Sequence, residues 1–224
     1  MIIAQISDTH IDPHHENGLA RLRDLEACVD DIGSMNPSPD IVIHTGDIAH
    51  NGDDEKYRLA LGVLDNLKTP LFVCAGNRDE RSLLLKRFNI GRYLMPNSPY
   101  VQYAVDDFPI RIIALDTISD LGNQGAYCLD RANSLRDALS SDRERATVVF
   151  MHHPPFEIAE SKHPRQYDPW DGAERLAWAL KDQRQLIRGF CGHSHRHALG
   201  TVAGIPFSSV PSVARDLRLG DFES

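Results

Sequence analysis

The feature that narrows the fold most is a repeated change of hydrophobic period over the first third of the chain. Residues 2–6 are a short apolar run. Leu19, Leu22, Leu25, Val29 and Ile32 then recur at three- and four-residue spacing, with Arg21, Arg23, Asp24 and Asp30 between them. The run predicts a buried strand, and the spaced set predicts an amphipathic helix that ends near Asn36-Pro37. Residues 40–44 repeat the strand pattern. Leu59, Val63, Leu64 and Leu67 repeat the helical one, and residues 70–74 return to the strand. A β-α-β-α-β order commits the chain to a parallel sheet covered by helices, because parallel neighbours need a crossover long enough to hold a helix.

The same patterns predict a short helix near 83–88, paired strands near 100–105 and 111–115 with Pro109 at their turn, and a helix over 131–139. A strand at 147–151, a long loop over 152–170, a helix at 173–180 and strands at 187–191, 199–202 and 205–210 follow. With no internal repeat, low-complexity tract or linker, the expectation is a single α/β domain with mixed sheets over residues 1–224. No stretch of about 18 apolar residues is present, so no membrane span is expected. The run at 2–6 is too short for a signal peptide and has no basic leader. Cys28, Cys74, Cys128 and Cys191 form no C-x-x-C pair. They read as buried free thiols, which fit a cytoplasmic location.

Charge and histidine content bear on function. The chain has 24 Lys+Arg against 32 Asp+Glu, a formal net charge of −8, which excludes a basic nucleic-acid coat. Eleven His beside 8 Phe and 6 Tyr exceed what core packing explains, and imidazole is the commonest metal ligand. Five polar clusters each follow an expected strand: Asp8-Thr9-His10, Gly46-Asp47, Gly76-Asn77-Arg78-Asp79, His152-His153-Pro154-Pro155 and Gly192-His193-Ser194-His195. Taken singly, each has an ordinary explanation as a cap, a turn or a packed imidazole. Ligand sites in α/β sheets lie at the carboxyl ends of strands. Five such ends on one edge would gather Asp8, His10, Asp47, Asn77, His152, His193 and His195. Oxygen and nitrogen donors without thiolate suit Mn, Fe or Zn. Seven donors are too many for one tetrahedral ion and suit two ions that share a carboxylate, for which Asp47 is expected.

This ordered series, spanning Asp8 to His195, resembles the calcineurin-like metallophosphoesterase superfamily. Residues 6–10, 152–155 and 192–196 look most like the bacterial class III cyclic nucleotide phosphodiesterases. The resemblance implies a four-layer α-β-β-α sandwich and two divalent or mixed-valence ions. Asp8, His10, Asp47 and His195 would hold one ion, and Asp47, Asn77, His152 and His193 the other. It further implies a metal-dependent phosphodiesterase in which a metal-bridging hydroxide attacks cyclic nucleotides or similar small diesters.

The family pattern is GNHD, and this chain departs from it at Arg78. A guanidinium, with a pKa above about 12, is no proton donor at neutral pH, but it clamps phosphate oxygens well. A bias toward good leaving groups follows. Asp47, Asn77 and Arg78 are the expected catalytic residues, and Asn77, Arg78, His50 and His153 the expected substrate contacts. The loop at 156–170, with Lys162, Arg165, Tyr167 and Trp170, is a candidate cap, while His14, His15, His163 and His197 read as exposed loop residues. The UDP-diacylglucosamine hydrolases of the superfamily also carry GNRD but have His-Gly-Asp in place of His-His-Pro-Pro. A pyrophosphatase or phosphomonoesterase of that type is therefore the alternative. A non-catalytic scaffold like the retromer subunit, which lacks part of the ligand set, is a weaker one. A homodimer is left open, and the stretch after Ser212 is expected to add no oligomerisation element.

Overall fold

The computed structural model describes residues 1–96 and 99–220. β1 (Ile3–Ile6), β2 (Ile41–His44) and β3 (Leu71–Val73) form a three-stranded parallel sheet in that order. α1 (Gly18–Ser34) and α2 (Asp54–Leu64) are its crossovers, as the change of hydrophobic period requires. α2 starts cleanly because the Asp53 side chain accepts the Lys56 N–H at 3.0 Å.

The second sheet has six strands. β4 (Tyr103–Val105), β5 (Arg111–Ala114), β6 (Thr147–Phe150), β7 (Leu186–Cys191), β8 (Ala198–Val202) and β9 (Ile205–Ser209) are ordered β4-β5-β6-β7-β9-β8. The pairs within β5-β6-β7-β9 are parallel, whereas β4 and β8 run antiparallel at the edges. α3 (Arg81–Arg87) follows the β3 loop, and α4 (Leu129–Ser141) and α5 (Asp171–Leu180) cover this sheet.

Alternation along β5 and β6 builds the layers. Ile112, Ala114, Val148 and Phe150 join the cluster that holds Ile41, Ile43 and Val73 of the first sheet. Ile113 and Val149 point the other way, with Leu115 and Met151 just beyond the strands, and pack with Leu135 and Leu139 of α4 and Leu176 and Leu180 of α5. On the far side, Leu25, Val29 and Ile32 of α1 and Tyr57, Ala60 and Val63 of α2 pack onto the first sheet. The result is the α-β-β-α sandwich. Each fully buried Ile, Leu or Phe contributes about 1.5–3 kcal/mol to it. Tyr103 links the two sheets, since its hydroxyl donates to the Val73 carbonyl at 2.6 Å and accepts the Val73 N–H at 3.0 Å.

Two expectations need correction. Leu19 is 73% exposed, whereas Arg21 and Asp24, expected on the solvent face of α1, are buried. Their partners are Asp216 and Arg215, in a segment that folds back against the helix. Of the four cysteines, all unpaired, Cys74 and Cys191 are buried but Cys28 and Cys128 only half-buried. Among the described residues no helix is long and apolar enough to cross a membrane.

Candidate metal centre

The carboxyl ends of β1, β2, β3, β6 and β7 meet along one edge, where the loops bond to one another. Asp8 N–H donates to Gly46 O and His10 N–H to Asp47 O, both at 3.0 Å, and Gly192 N–H donates to His152 O at 2.9 Å. The turns are tight. Asp8, His10, Asp47, His193 and His195 all have φ between 44° and 64°, a left-handed backbone that non-glycine residues adopt at a cost of order 1–3 kcal/mol each. Gly46 stands at φ 94°, and a Cβ there would lie 2.7 Å from His152 Nδ1. Glycine is required on both counts.

These strained turns present two donor groups. In the first, His195 Nε2 lies 3.3 Å from Asp8 Oδ1 and 3.2 Å from His10 Nε2. In the second, His152 Nε2 lies 3.0 Å from Asn77 Oδ1 and 3.1 Å from His193 Nδ1. Between them, Asp47 Oδ2 is 3.5 Å from His10 Nε2 and 3.5 Å from His152 Nε2. The other oxygen, Oδ1, accepts the Arg78 N–H at 2.7 Å, which fixes the carboxylate plane. His152 donates Nδ1–H to Thr45 O at 2.8 Å, and His195 donates Nδ1–H to Leu217 O at 3.1 Å. Both rings are thereby oriented with Nε2 toward the centre, so that loss of the Nε2 proton leaves a lone pair aimed at it.

The donor set fits metal ions. Asp8 is fully buried and its Oδ1 has no hydrogen bond, an orphaned acceptor that a cation would satisfy. Electrostatics agree. Burial by itself would raise the Asp8 and Asp47 carboxyls, but His195 and His152 outweigh it, so Asp8 falls far below the usual carboxylate range and Asp47 to about 2. Burial lowers His10 to about 4, so that ring is neutral and ready to ligate. His193 is pushed well below its ordinary value by burial and by His153 and His152. For His152, burial is outweighed by Asp47 and Asp8, which hold it at about 9. His195 is raised in the same way by Asp8. Carboxylates that stay ionised beside imidazoles at one water-poor edge are what a binuclear site of oxygen and nitrogen donors needs.

Comparison with known proteins agrees with this geometry. The family model for calcineurin-like phosphoesterases matches residues 1–197. The chain belongs to the calcineurin-like phosphoesterase family. It is 33% identical over 199 residues to a probable glycerophosphodiester phosphodiesterase of Arcobacter nitrofigilis, covering 88% of this chain and 72% of the relative. It is 31% identical over 210 residues to a probable cyclic nucleotide phosphodiesterase of Rhodopseudomonas palustris, covering 90% and 74%. A dimetal phosphatase from Danio rerio superposes with a TM-score of 0.78 at 15% identity, over 96% of this chain and 88% of that one, a likeness of fold.

Within this calcineurin-like edge, the residues expected at the substrate differ in placement. Arg78 is half-buried, and Nη1 donates to Asn51 Oδ1 at 3.3 Å. Among the described residues it has no carboxylate partner, so its charge is available to an anion. His50 sits at the rim, with Nδ1 3.4 Å from His10 Nδ1. His153 is buried, and both of its ring nitrogens are committed. Nε2–H donates to Asn123 O at 3.0 Å, and Nδ1 accepts the Thr117 hydroxyl at 2.8 Å. Its ring centroid lies 4.4 Å from that of His193, so it packs against a candidate ligand. The loop at 156–170 turns on itself. Tyr167 packs on His153, and Arg165 pairs with Glu157 and lies over Trp170. None of the seven candidate ligands lines the hollow under it.

Sequence reasoning passed over four supporting groups. Asp79 is a half-buried carboxylate that accepts N–H bonds from Ile48, Ala49 and Gly76 and the Tyr57 hydroxyl, locking the β2 loop to the β3 loop. Burial, then Asp47, raises its carboxyl to about 6. Thr117, beyond β5, holds His153. His44, read only as the end of a strand, accepts the Gly46 N–H at 3.2 Å and lies 3.2 Å from Thr9 Oγ1. The fourth is Leu217, whose carbonyl receives His195. The GNRD motif carried a signal for Asp79. Nothing in the chain's local pattern pointed to the others.

Proposed function

We propose that this chain is a two-metal phosphodiesterase acting on small diesters, with cyclic nucleotides and glycerophosphodiesters as the candidate classes. One observation carries the reading: a single carboxylate oxygen, Asp47 Oδ2, faces His10 on one side and His152 on the other at the same 3.5 Å. Asp8, His10, Asp47 and His195 would hold one ion and Asp47, Asn77, His152 and His193 the other, with Mn, Fe or Zn favoured by the donor chemistry. Two such ions supply Lewis acidity, polarising phosphoryl oxygens and acidifying water.

The protein's own groups do the positioning. Thr45 and Leu217 hold the ligand imidazoles in the competent tautomer. The Arg78 main chain aims Asp47, and its guanidinium, without a carboxylate partner, offsets charge that develops on a phosphoryl oxygen. Asn77 turns Oδ1 toward His152, which leaves its amide N–H groups to donate to substrate. The names of the relatives support a diester over a monoester. A reducing compartment belongs to the same reading, since the four thiols are unpaired.

The test reconstitutes metal-depleted protein with Mn, Fe or Zn. It is assayed on cyclic nucleotides, glycerophosphodiesters, bis-aryl and mono-aryl phosphates and a nucleotide pyrophosphate. Metal-dependent turnover of diesters is expected, together with loss of one ion and of activity in Asp47→Asn. Full activity of Asp47→Asn with both ions bound would remove the binuclear mechanism. Turnover of the pyrophosphate alone would move the assignment to the UDP-diacylglucosamine hydrolase type.

A further inference from the structure

Three of the four candidate ligands of the first site are braced from behind by one segment. Within residues 212–219, the Ser212 hydroxyl donates to the Asp8 carbonyl at 2.6 Å, and the Leu217 carbonyl accepts His195 Nδ1–H at 3.1 Å. Val213 N–H bonds the Ser7 carbonyl and Leu219 N–H the His195 carbonyl, each at 2.9 Å. The third ligand is reached through α1. Arg21 donates from Nη1 to the His10 carbonyl at 3.2 Å, while its Nε and Nη2 grip Asp216 at 3.2 and 2.8 Å.

Arg21 is only 3% exposed, and a guanidinium so buried needs its carboxylate. Asp216 therefore holds Arg21 under His10 and, next to it in the chain, presents Leu217 to His195. Arg215 adds a second tie, donating from Nε to Asp24 at 2.6 Å. The second site is built differently, for Asn77, His152 and His193 bond to one another, to Thr45 and to Asp8. The bracing segment lies beyond residue 197, where the family match ends.

We infer that residues 212–219, acting through Ser212, Leu217 and the Asp216–Arg21 pair, set the metal affinity of the first site separately from that of the second. Asp216, Arg21, Ser212 and Leu217 are positioning residues: Ser212 bonds the Asp8 carbonyl, Arg21 the His10 carbonyl and the Leu217 carbonyl the outer nitrogen of His195, while Asp216 acts through Arg21, and none of them touches the donor atoms. The inference rests on the ligand assignment proposed above. Removing groups that orient metal ligands typically lowers affinity about 10–100-fold.

The test is equilibrium dialysis of the metal-free chain against Mn(II), with bound ions counted, for wild type, Asp216→Asn and Ser212→Ala. Ser212→Ala leaves the ion pair intact and keeps the test available if Asp216→Asn folds poorly. The expected result is one ion held as in wild type and one held ~10–100-fold more weakly in each variant. In an Asn77→Ala background, whose second site is already impaired, Asp216→Asn should weaken the remaining ion. Two ions held with unchanged affinity in both variants would overturn the inference, as would equal weakening of both sites. A wild type that takes up no metal would overturn the ligand assignment itself.

Discussion

Gly76→Ala isolates how tightly the bridging carboxylate is confined. Gly76 has no positive φ to forbid alanine, so the substitution is a steric probe. A Cβ at this position would stand 2.2 Å from the Asp47 backbone nitrogen and 2.2 Å from Asp47 Oδ1. Contact at ordinary separations of about 3.5 Å requires something to move by more than 1 Å. The backbone nitrogen cannot swing away, and Oδ1 is pinned by the Arg78 N–H. Overpacking of this kind costs about 1–3 kcal/mol, which lowers Tm by roughly 2–4 °C per kcal/mol in a chain of this size. A displacement of about 1 Å at a reacting centre costs on the order of 10²-fold in rate. The assay combines thermal unfolding of the metal-free protein, the number of ions bound, and kcat/KM on a diester. Gly33→Ala is the control, since a Cβ there meets nothing within 4 Å and α1 gains a better helix former. If Gly76→Ala kept two ions and wild-type kcat/KM, Asp47 would not be the confined bridge described above.

Two further outcomes follow from the electrostatics. Arg78→Ala should lower kcat/KM by about 10²–10³ on every active substrate while leaving the number of bound ions unchanged, because the main-chain bond to Asp47 survives; unchanged turnover would refute the charge-offsetting role. Metal uptake should be pH-dependent. In the metal-free protein His152 is held up at about 9 and His195 is raised, so ions must displace their protons near neutrality, whereas His10 at about 4 is already neutral. Affinity should therefore rise with pH toward about 9 and fall on acidification, with proton release visible by calorimetry in buffers of different ionisation enthalpy. Uptake at pH 7 without proton release would contradict the paired His152 and Asp47.

Much of the site was legible because parallel strands have continuous apolar runs, and each run ends where the polar ligand cluster begins. All seven expected ligands, from Asp8 to His195, meet at one edge. The substrate contacts were less legible. His153 shares a dipeptide with a candidate ligand and its ring centroid lies only 4.8 Å from that of His152, yet both of its ring nitrogens are taken, by Thr117 and Asn123. The loop at 156–170 has the composition of a cap, but Arg165 and Trp170 find each other first.

By itself the sequence determined the β-α-β-α-β succession that makes the first sheet parallel, the strand ends that carry the polar clusters, and a donor set without thiolate. Those follow from local periodicity and residue type. Tertiary structure alone decided that Asp47 faces both groups, that five candidate ligands take left-handed backbone, and that Arg21 and Asp24 turn inward to a segment nearly two hundred residues away. The physical reason is the same in each case. A strained turn or a buried charge is stable only when distant chain supplies its hydrogen bonds, and no local pattern encodes where that chain will lie.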